Sequence, residues 1–233
     1  LLPDMAVMIP VVRLGIPSGI QAVLLNIGGV VLLYFIGSLQ FSTDAQAAYT
    51  ICYTSLFSAV TWAGFGLRAA CATVMGQNIG AGNIERGKHS VYIGALIGAL
   101  WATFFGAFYW FLPEELLGWF ELTIKGEPLV VKYASTLLRF LTLSGVFVVV
   151  SLAFTGGLQG DGDTKKPMYI AFVSQIVVLL GICLVFQAQD TLTTTKIWSA
   201  ILVSHFFRVV LSYIIFARGG WRDIKVEIGS KKA

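Results

Sequence analysis

Six polar or charged side chains stand inside long apolar stretches of this sequence, where a buried binding site would need them. They are Gln21, Asn26, Arg139, Gln175, His205 and Arg208. An arginine at the centre of a bilayer costs roughly 2.5–3.5 kcal/mol if its charge faces lipid, so both arginines must face protein or water. There they could contact an anionic substrate or pair with carboxylates from outside this chain. The alternative is structural, with hydrogen bonds to helix carbonyls and to Ser or Thr hydroxyls.

His205 is the one side chain within these stretches that titrates near neutral pH. All 12 Asp and Glu residues fall between the apolar stretches or near the ends of the chain. Proton or sodium coupling in membranes normally uses a buried ionisable group, so we do not expect this chain to provide such coupling alone. His205 and Arg208 are three residues apart and share a helix face, which predicts a common environment. A neutral, packed histidine is the alternative to a functional one.

Pro17 and the amides near it are the next candidates for a cavity. Pro17 should free a backbone carbonyl and kink the first helix, as proline does inside helices. Gln21 follows it closely, and five residues of helix place Asn26 on a different side of the axis. We therefore expect one of the two amides, in the first place Gln21, to face a cavity and the other to bond a neighbouring helix. Gln175 is the comparable group in the fifth stretch. Gln21 or Gln175 could instead form an interhelical hydrogen bond worth about 0.6 kcal/mol.

The elements that carry these residues are predicted to be transmembrane helices. Of the 233 residues, 57% are hydrophobic and only 12% are charged, whereas soluble domains carry about 25% charged residues. Six apolar stretches are long enough to cross a bilayer, which takes about 20 residues of helix. We place the helices at 11–38, 46–75, 88–112, 129–157, 167–188 and 196–217. The stretches lack the alternation of barrel strands, so the fold class is an all-α bundle of about six transmembrane helices.

The distribution of lysine and arginine predicts the orientation of the bundle. One set of loops and ends holds Arg13, Arg68, Arg86, Lys88, Lys165, Lys166, Arg218, Arg222, Lys225, Lys231 and Lys232, and the other holds Lys125, Lys132 and Lys196. By the positive-inside rule both termini are cytoplasmic, and the clusters of basic residues suit membrane orientation better than nucleic acid. We divide the chain into a linker (1–10), a six-helix lobe (11–218) and a basic cytoplasmic tail (219–233). No signal peptide is visible at the start, and the chain could be a fragment.

Signals for other chemistry are weak. Cys52, Cys71 and Cys183 stand singly and are expected to be buried free thiols, so no disulfide or metal site is indicated. Residues 64–69 match a dinucleotide-binding pattern, but no strand precedes them and chance explains the match. Asp161 and Asp163 do not continue into a calcium-binding loop and are expected to cap a helix. Small residues at helical spacing, such as Gly15 with Gly19, Gly94 with Gly98 and Ala102 with Gly106, are expected to let helices pack closely.

Two glycine-rich segments, Gly76 to Asn83 and Gly156 to Thr164, are expected to be cytoplasmic loops that end one helix and start the next. Gly80 or Gly82 could take a left-handed conformation, Thr164 could cap a helix, and Pro167 falls in a first turn. These segments resemble the paired signatures of the multidrug and toxic compound extrusion (MATE) antiporters. The residues that carry the resemblance are Gly76, Gln77, Asn78, Gly80, Gly82, Gly157, Gln159, Gly160, Gly162, Asp163 and Pro167. The segment 14–21, with Pro17, resembles the start of that family's first helix, and 47–49 resembles the start of its second.

The resemblance implies one lobe of a two-lobe antiporter that exchanges a drug or organic cation for H⁺ or Na⁺ by alternating access. Its implied partners are the inner-membrane bilayer, a small organic substrate and a companion six-helix lobe, with no other cofactor. The chain looks like the second lobe, because the first usually carries an aspartate that is absent between Leu14 and Thr43. Some relatives place carboxylates in the first and fourth helices of that lobe, near Leu25 and Val148, where this sequence is apolar. A lipid-linked oligosaccharide flippase, with Arg139 and Arg208 at a phosphate group, and a six-helix scaffold without transport activity are the alternatives.

Overall fold

The computed structural model describes residues 5–120 and 128–219, and every regular element among them is a helix. Six long helices and one short helix follow one another along the chain. They are α1 (Met5–Gly37), α2 (42–80), α3 (Ile84–Phe111), the short α4 (Pro113–Gly118), α5 (Pro128–Gly160), α6 (Lys165–Ala188) and α7 (Thr194–Ala217). The predicted all-α class and the six predicted helices are confirmed. Residues 1–4 of the expected linker, the loop with Lys125 and the tail from 220 lie outside the described residues.

Five of the described helices, α1, α3, α5, α6 and α7, are long and apolar enough to cross a membrane. The remaining long helix, α2, carries more polar residues in its middle, including Thr54, Ser55 and Ser58, and packs along α5. The outside of the lobe is apolar: Leu96, Leu100 and Phe104 of α3, for example, are more than half exposed. Exposed side chains of this kind suit a lipid environment, so the chain is a multi-pass membrane protein.

Helix α5 lies at the centre of the lobe, with α2, α3 and α7 packed around it. Its segment from Ser151 to Leu158 is buried throughout. Close packing depends on glycines of α5, because a β-carbon at Gly156 would lie 2.3 Å from the carbonyl oxygen of Arg68. A β-carbon at Gly160 would lie 2.2 Å from the carbonyl oxygen of Ala72. The backbones of α5 and α2 therefore touch at this crossing, as small residues allow in membranes.

The other small-residue pairs divide into those that pack and one that does not. Gly94 and Gly98 of α3 face Cys71 and Val149, and Gly106 faces Thr142, as predicted. Gly15 and Gly19 have no atom within 4 Å of an added β-carbon, so their predicted packing is wrong for the described lobe. Their face of α1 is exposed, because α1 packs on α2 and α6 through its other side.

The two glycine-rich segments are mostly helical instead of being loops. Helix α2 continues to Gly80 and α5 to Gly160, five and three residues beyond the predicted ends. Gly82 and Gly162 then take positive φ angles of 74° and 88°. In both turns the next residue donates its N–H to a carbonyl five residues back, from Asn83 to Asn78 and from Asp163 to Leu158. These bonds satisfy carbonyls at the helix ends, so the two signatures form equivalent caps.

Capping at the start of α6 differs in one residue from the prediction. Thr164 stands at the cap position but its side chain makes no capping hydrogen bond. Instead, Asp163 Oδ1 accepts the backbone N–H of Lys166 at 3.1 Å, and its other oxygen lies 2.6 Å from Lys166 Nζ. A carboxylate is the better cap here because it also neutralises the lysine and suits the helix dipole. The expected capping role of Asp163 is thus confirmed, and Pro167 lies in the first turn as predicted.

Candidate functional site

A cavity of about 210 Å³ lies between α1, α2, α5, α6 and α7. Its polar lining comes from Gln175, His205 and Arg208, three of the residues that the sequence singled out. Thr61 and Tyr53 add hydroxyl groups, and the remaining walls are apolar: Leu25, Phe57, Phe65, Val148 and Leu152. The described helices thus bring the predicted polar residues of α6 and α7 together, and His205 and Arg208 share one environment as predicted.

Arg208 is anchored by two side chains of α6. Its Nε donates to Ser174 Oγ at 3.2 Å, and its Nη2 donates to Gln175 Oε1 at 2.8 Å. Both acceptors belong to a π-helical segment of α6, Phe172–Leu180, whose wider turns present side chains differently from an α-helix. A Ser or Thr hydroxyl is one of the partners predicted for Arg208 if its role is structural. Since both acceptors are neutral, the positive charge of the guanidinium is not balanced by them.

His205 is packed beside two aromatic rings of α2. The imidazole stacks on Tyr53 and Phe57, with ring centroids 6.4 and 6.5 Å apart. Tyr53 belongs to a second π-helical segment, Thr50–Leu56, within α2. His205 is 3% exposed, and its Nδ1 has no hydrogen-bond partner among the described residues. The packed histidine that we expected is therefore present, but one polar atom of its ring is left without a partner.

A larger cavity of about 470 Å³ adjoins the first and shares Leu25 and Phe65 with it. Gln21, Asn26, Arg68 and Gln159 supply its polar lining. Gln159 Nε2 donates to Gln21 Oε1 at 3.0 Å, which links α5 to α1. Asn26 Nδ2 donates to a carbonyl of its own helix at 2.9 Å. Gln21 therefore both faces the cavity and bonds a neighbouring helix, and Asn26 lines the same cavity despite the angle between them.

Gly28 makes room for the side chain that holds Arg208. A β-carbon at Gly28 would lie 2.2 Å from Cγ and 2.8 Å from Nε2 of Gln175. A larger residue at this position would force Gln175 to move away from α1. The backbone of α1 thus fixes Gln175, and Gln175 in turn fixes the guanidinium.

Arg139 and Pro17 lie outside both cavities. Arg139 is exposed on α5 and stands nine residues before Val148, which at about 100° per residue puts it on the opposite side of the helix. Pro17 is buried, and α1 continues through it without interruption. Cavity roles for these two residues remain predictions that the described lobe does not support. The sequence could not separate Arg139 from Arg208, because each looks equally buried in an apolar stretch.

Most family-motif residues surround the ends of α2 and α5 and do not line the two cavities; Gln159 is the exception. Gln77 and Asn78 border a separate surface cavity of about 460 Å³ with Arg86 and Ser90. Gly76 faces the carbonyl oxygen of Gly160, which an added β-carbon would approach to 3.0 Å. These residues therefore act in helix packing and capping. Among the described residues, no three His, Cys, Asp or Glu side chains gather as a metal site.

Asp161 is the one buried carboxyl in the turn between α5 and α6 whose charge is strongly disfavoured. It is 6% exposed, and its Oδ2 has no hydrogen-bond partner within the described part of the chain. Burial, helped by the nearby charge of Asp163 and opposed by Lys166, raises the pKa of Asp161 to about 7. The folded protein therefore holds this proton over a pH range in which an unfolded chain has released it.

This pKa predicts that the protein loses stability as the pH rises from about 4 to above 7. The sign follows because folding raises the pKa, so the folded state binds more protons than the unfolded state within that range. Asp161→Asn should remove the dependence, matching the parent near pH 4 and melting at a higher temperature at pH 8. Melting curves in detergent at both pH values test this, with Asp190→Asn as the exposed control. If the difference in melting temperature between the parent and Asp161→Asn is the same at both pH values, the prediction is wrong.

Several residues of the site were not predicted, among them Tyr53, Ser174 and Gly28. The π-helical turns that place Tyr53 and Ser174 leave no signal in residue periodicity. A glycine in the first helix suggests packing, but its contact with Gln175 is visible only after folding. Leu25 and Val148, where relatives led us to look for carboxylates, do line the smaller cavity, as apolar side chains.

The sequence and the fold both match known transport proteins. A family model described as MatE matches residues 17–186. The probable multidrug resistance protein NorM of Thermotoga maritima is 24% identical over 211 residues, which are 91% of this chain and 44% of that protein.

Solved structures share the fold at low sequence identity. A MATE crystallised in complex with MaL6 is 16% identical and superposes with a TM-score of 0.84, over 96% of this chain and 49% of that one. A transporter of the MOP superfamily from Pyrococcus furiosus is 17% identical, with a TM-score of 0.71 over 94% of this chain and 46% of that one. The chain thus spans about half the length of the proteins that it matches.

Proposed function

The chain belongs to the MATE family of multidrug and toxic compound extrusion proteins, and we propose that it forms one lobe of an exporter of small organic molecules. In this proposal the protein is an antiporter and not an enzyme. It alternates between states open to either side of the membrane, and an inward gradient of H⁺ or Na⁺ drives export. The relatives named as multidrug resistance proteins support drugs and organic cations as substrates to test first.

The pair of adjoining cavities carries this proposal. Ligand pockets for drug-sized molecules measure about 300–1,000 Å³ and are mostly apolar with a few placed polar groups. The smaller cavity, about 210 Å³, has this composition, the larger one, about 470 Å³, is more polar, and the two meet at Leu25 and Phe65. They draw on α1, α2, α5, α6 and α7, so a shift of any one helix would change their shape. Such a site suits a transporter whose helices move between two arrangements.

A companion six-helix lobe completes the proposed transporter. The share of the relatives that this chain covers supports it, since close to half of each remains unmatched. The described acidic residues stand at helix ends or in turns, so the carboxylate for ion coupling would come from the companion. We place the protein in the plasma (inner) membrane with both termini cytoplasmic, as the basic residues predict.

Transport by reconstituted protein tests the proposal. The complete reading frame that contains this chain is placed in liposomes, and efflux of ethidium and a panel of drugs is followed under an imposed pH or Na⁺ gradient. We expect efflux that needs the gradient and stops when an ionophore dissipates it. Gradient-independent leakage, or no movement of any substrate, would reject the antiporter. The 233-residue chain alone is the comparison, and its efflux should be absent unless two copies associate.

A flippase for lipid-linked oligosaccharides is the second candidate. Arg68 and Arg208, one at each cavity, favour it because arginine binds phosphate groups well. Arg139, which we had paired with Arg208 for this role, points away from the cavities. Stabilisation of the protein by a lipid pyrophosphate, with none by drugs, would support this candidate. A scaffold without transport activity would show neither stabilisation nor efflux.

A further inference from the structure

We propose that Arg208 and His205 form a binding site for the carboxylate or phosphate group of an amphipathic organic anion. The proposal rests on the transporter function and specifies its substrate class. The starting observation is the charge of Arg208, whose two hydrogen-bond acceptors, Ser174 and Gln175, are both neutral. No carboxylate among the described residues forms an ion pair with it. A cation at membrane depth is stable only when an opposite charge or water meets it, so the cavity favours an anion.

The guanidinium has donors left for such a ligand. Arginine carries five N–H donors in one plane, and the two hydrogen bonds to α6 use two of them. Because Gln175 and Ser174 hold one side of the group, it is fixed at the wall of the cavity without flexing freely. A planar carboxylate or a phosphate matches the spacing of such paired donors better than a single charged atom does.

His205 adds a second, independent polar atom at the same cavity. Its ring is buried beside Tyr53 and Phe57, yet Nδ1 meets no partner among the described residues. Buried polar atoms are normally satisfied, so an unpartnered nitrogen in a ring that lines the cavity favours a polar ligand beside it. His205 stands about one helical turn from Arg208 and lines the same cavity, and the tautomer with its proton on Nδ1 can donate to the same anionic group.

The size and charge of the two cavities define the rest of the ligand. About 210 Å³ suits a charged head group and not a whole drug. The adjoining 470 Å³, lined by Phe65, Arg68 and three amide side chains, can hold an aromatic body that also carries polar groups. Arg68 lines the larger cavity with its guanidinium carbon 5.5 Å from the Phe65 ring centroid. Neither cavity has an Asp or Glu in its lining. An organic cation would therefore have to bind elsewhere in the complete transporter.

Binding to the purified protein in detergent tests the charge preference without any mutation. The probes are 1-naphthoate, its neutral amide and 1-naphthylmethylammonium, which share an aromatic body and differ in charge. We expect naphthoate to bind at least tenfold more tightly than the amide, and the ammonium compound to bind most weakly. Equal affinities, or tightest binding of the ammonium compound, would overturn the proposal.

Variants locate the site. Arg208→Gln should weaken naphthoate binding about tenfold or more, and Arg208→Lys should weaken it less. Arg139→Gln should leave binding unchanged, because Arg139 lies on the opposite side of α5. Unchanged binding by Arg208→Gln would overturn the site. Naphthoate binding in nanodiscs with and without phosphatidic acid identifies the source of the anion. Competition by this lipid indicates a lipid head group, and a lack of competition indicates a soluble anion. Gradient-driven efflux of naphthoate that Arg208→Gln leaves intact would reject this site while leaving the transporter function standing. Naphthoate binding that Arg208→Gln weakens, without any gradient-driven transport, would do the reverse.

Discussion

Replacing Gly156 or Gly160 with alanine is expected to destabilise the lobe by about 3 kcal/mol, the upper end of the cost of overpacking a core. The added β-carbons would lie 2.3 and 2.2 Å from backbone carbonyl oxygens of α2. A backbone atom cannot rotate away, so α2 and α5 would have to separate along the most buried part of the lobe. Thermal or denaturant unfolding in detergent measures the effect.

Two other glycines give this prediction a scale. Gly66→Ala in α2 adds a β-carbon with nothing within 4 Å, and better helix propensity should stabilise the lobe by up to about 1 kcal/mol. Gly98→Ala meets the side chains of Val149 and Leu67, which can shift, so its cost should lie between the two extremes. If Gly160→Ala unfolds at or above the midpoint of Gly66→Ala, the backbone contact does not control packing here.

The helices were predictable because lipid imposes a simple rule on the sequence. A segment that crosses a bilayer needs about 20 apolar residues, and each of the six stretches is bounded by charged, glycine or proline residues. The observed helix ends differ from the prediction by at most six residues, the largest shift being at Met5. Helix ends near Gly80 and Gly160 were missed because glycine suggests a turn, whereas Gly76 and Gly160 stand inside helices and serve interhelical contact.

Part of the candidate site was predictable for a related reason. A charged or amide side chain in an apolar stretch must find protein or water, which identified Gln21, Gln175, His205 and Arg208 in advance. The same rule could not predict on which side of α5 the side chain of Arg139 lies, because α5 has neighbours on most of its faces. Contacts across the lobe, such as Gly28 with Gln175, arise from the relative position of helices that periodicity does not encode.

The effects of replacing Gln175 and Arg208 on the free energy of unfolding are expected to be strongly coupled. Gln175→Met keeps the unbranched shape that fits against Gly28 but removes the acceptor 2.8 Å from Nη2, which should cost about 2 kcal/mol, as for hydrogen bonds to charged groups. Arg208→Met should also destabilise, because it leaves the amide of Gln175 and the hydroxyl of Ser174 without their donor. The double variant removes both partners, so its cost should fall well below the sum of the two single costs.

A double-mutant cycle of unfolding free energies measures this coupling, which we expect to be about 2 kcal/mol. The control cycle pairs Arg208→Met with Gln21→Met, whose amide bonds Gln159 and shares no partner with Arg208, so its two effects should add. Strict additivity of the Gln175 and Arg208 variants would show that the guanidinium does not depend on this amide.

Since Gly28 alone leaves room for Gln175, Gly28→Ala should destabilise the parent and become nearly neutral once Gln175 is alanine, because the atom it would strike at 2.2 Å is then gone. A destabilisation that persists in the alanine background would mean that the space at Gly28 serves another neighbour of α1.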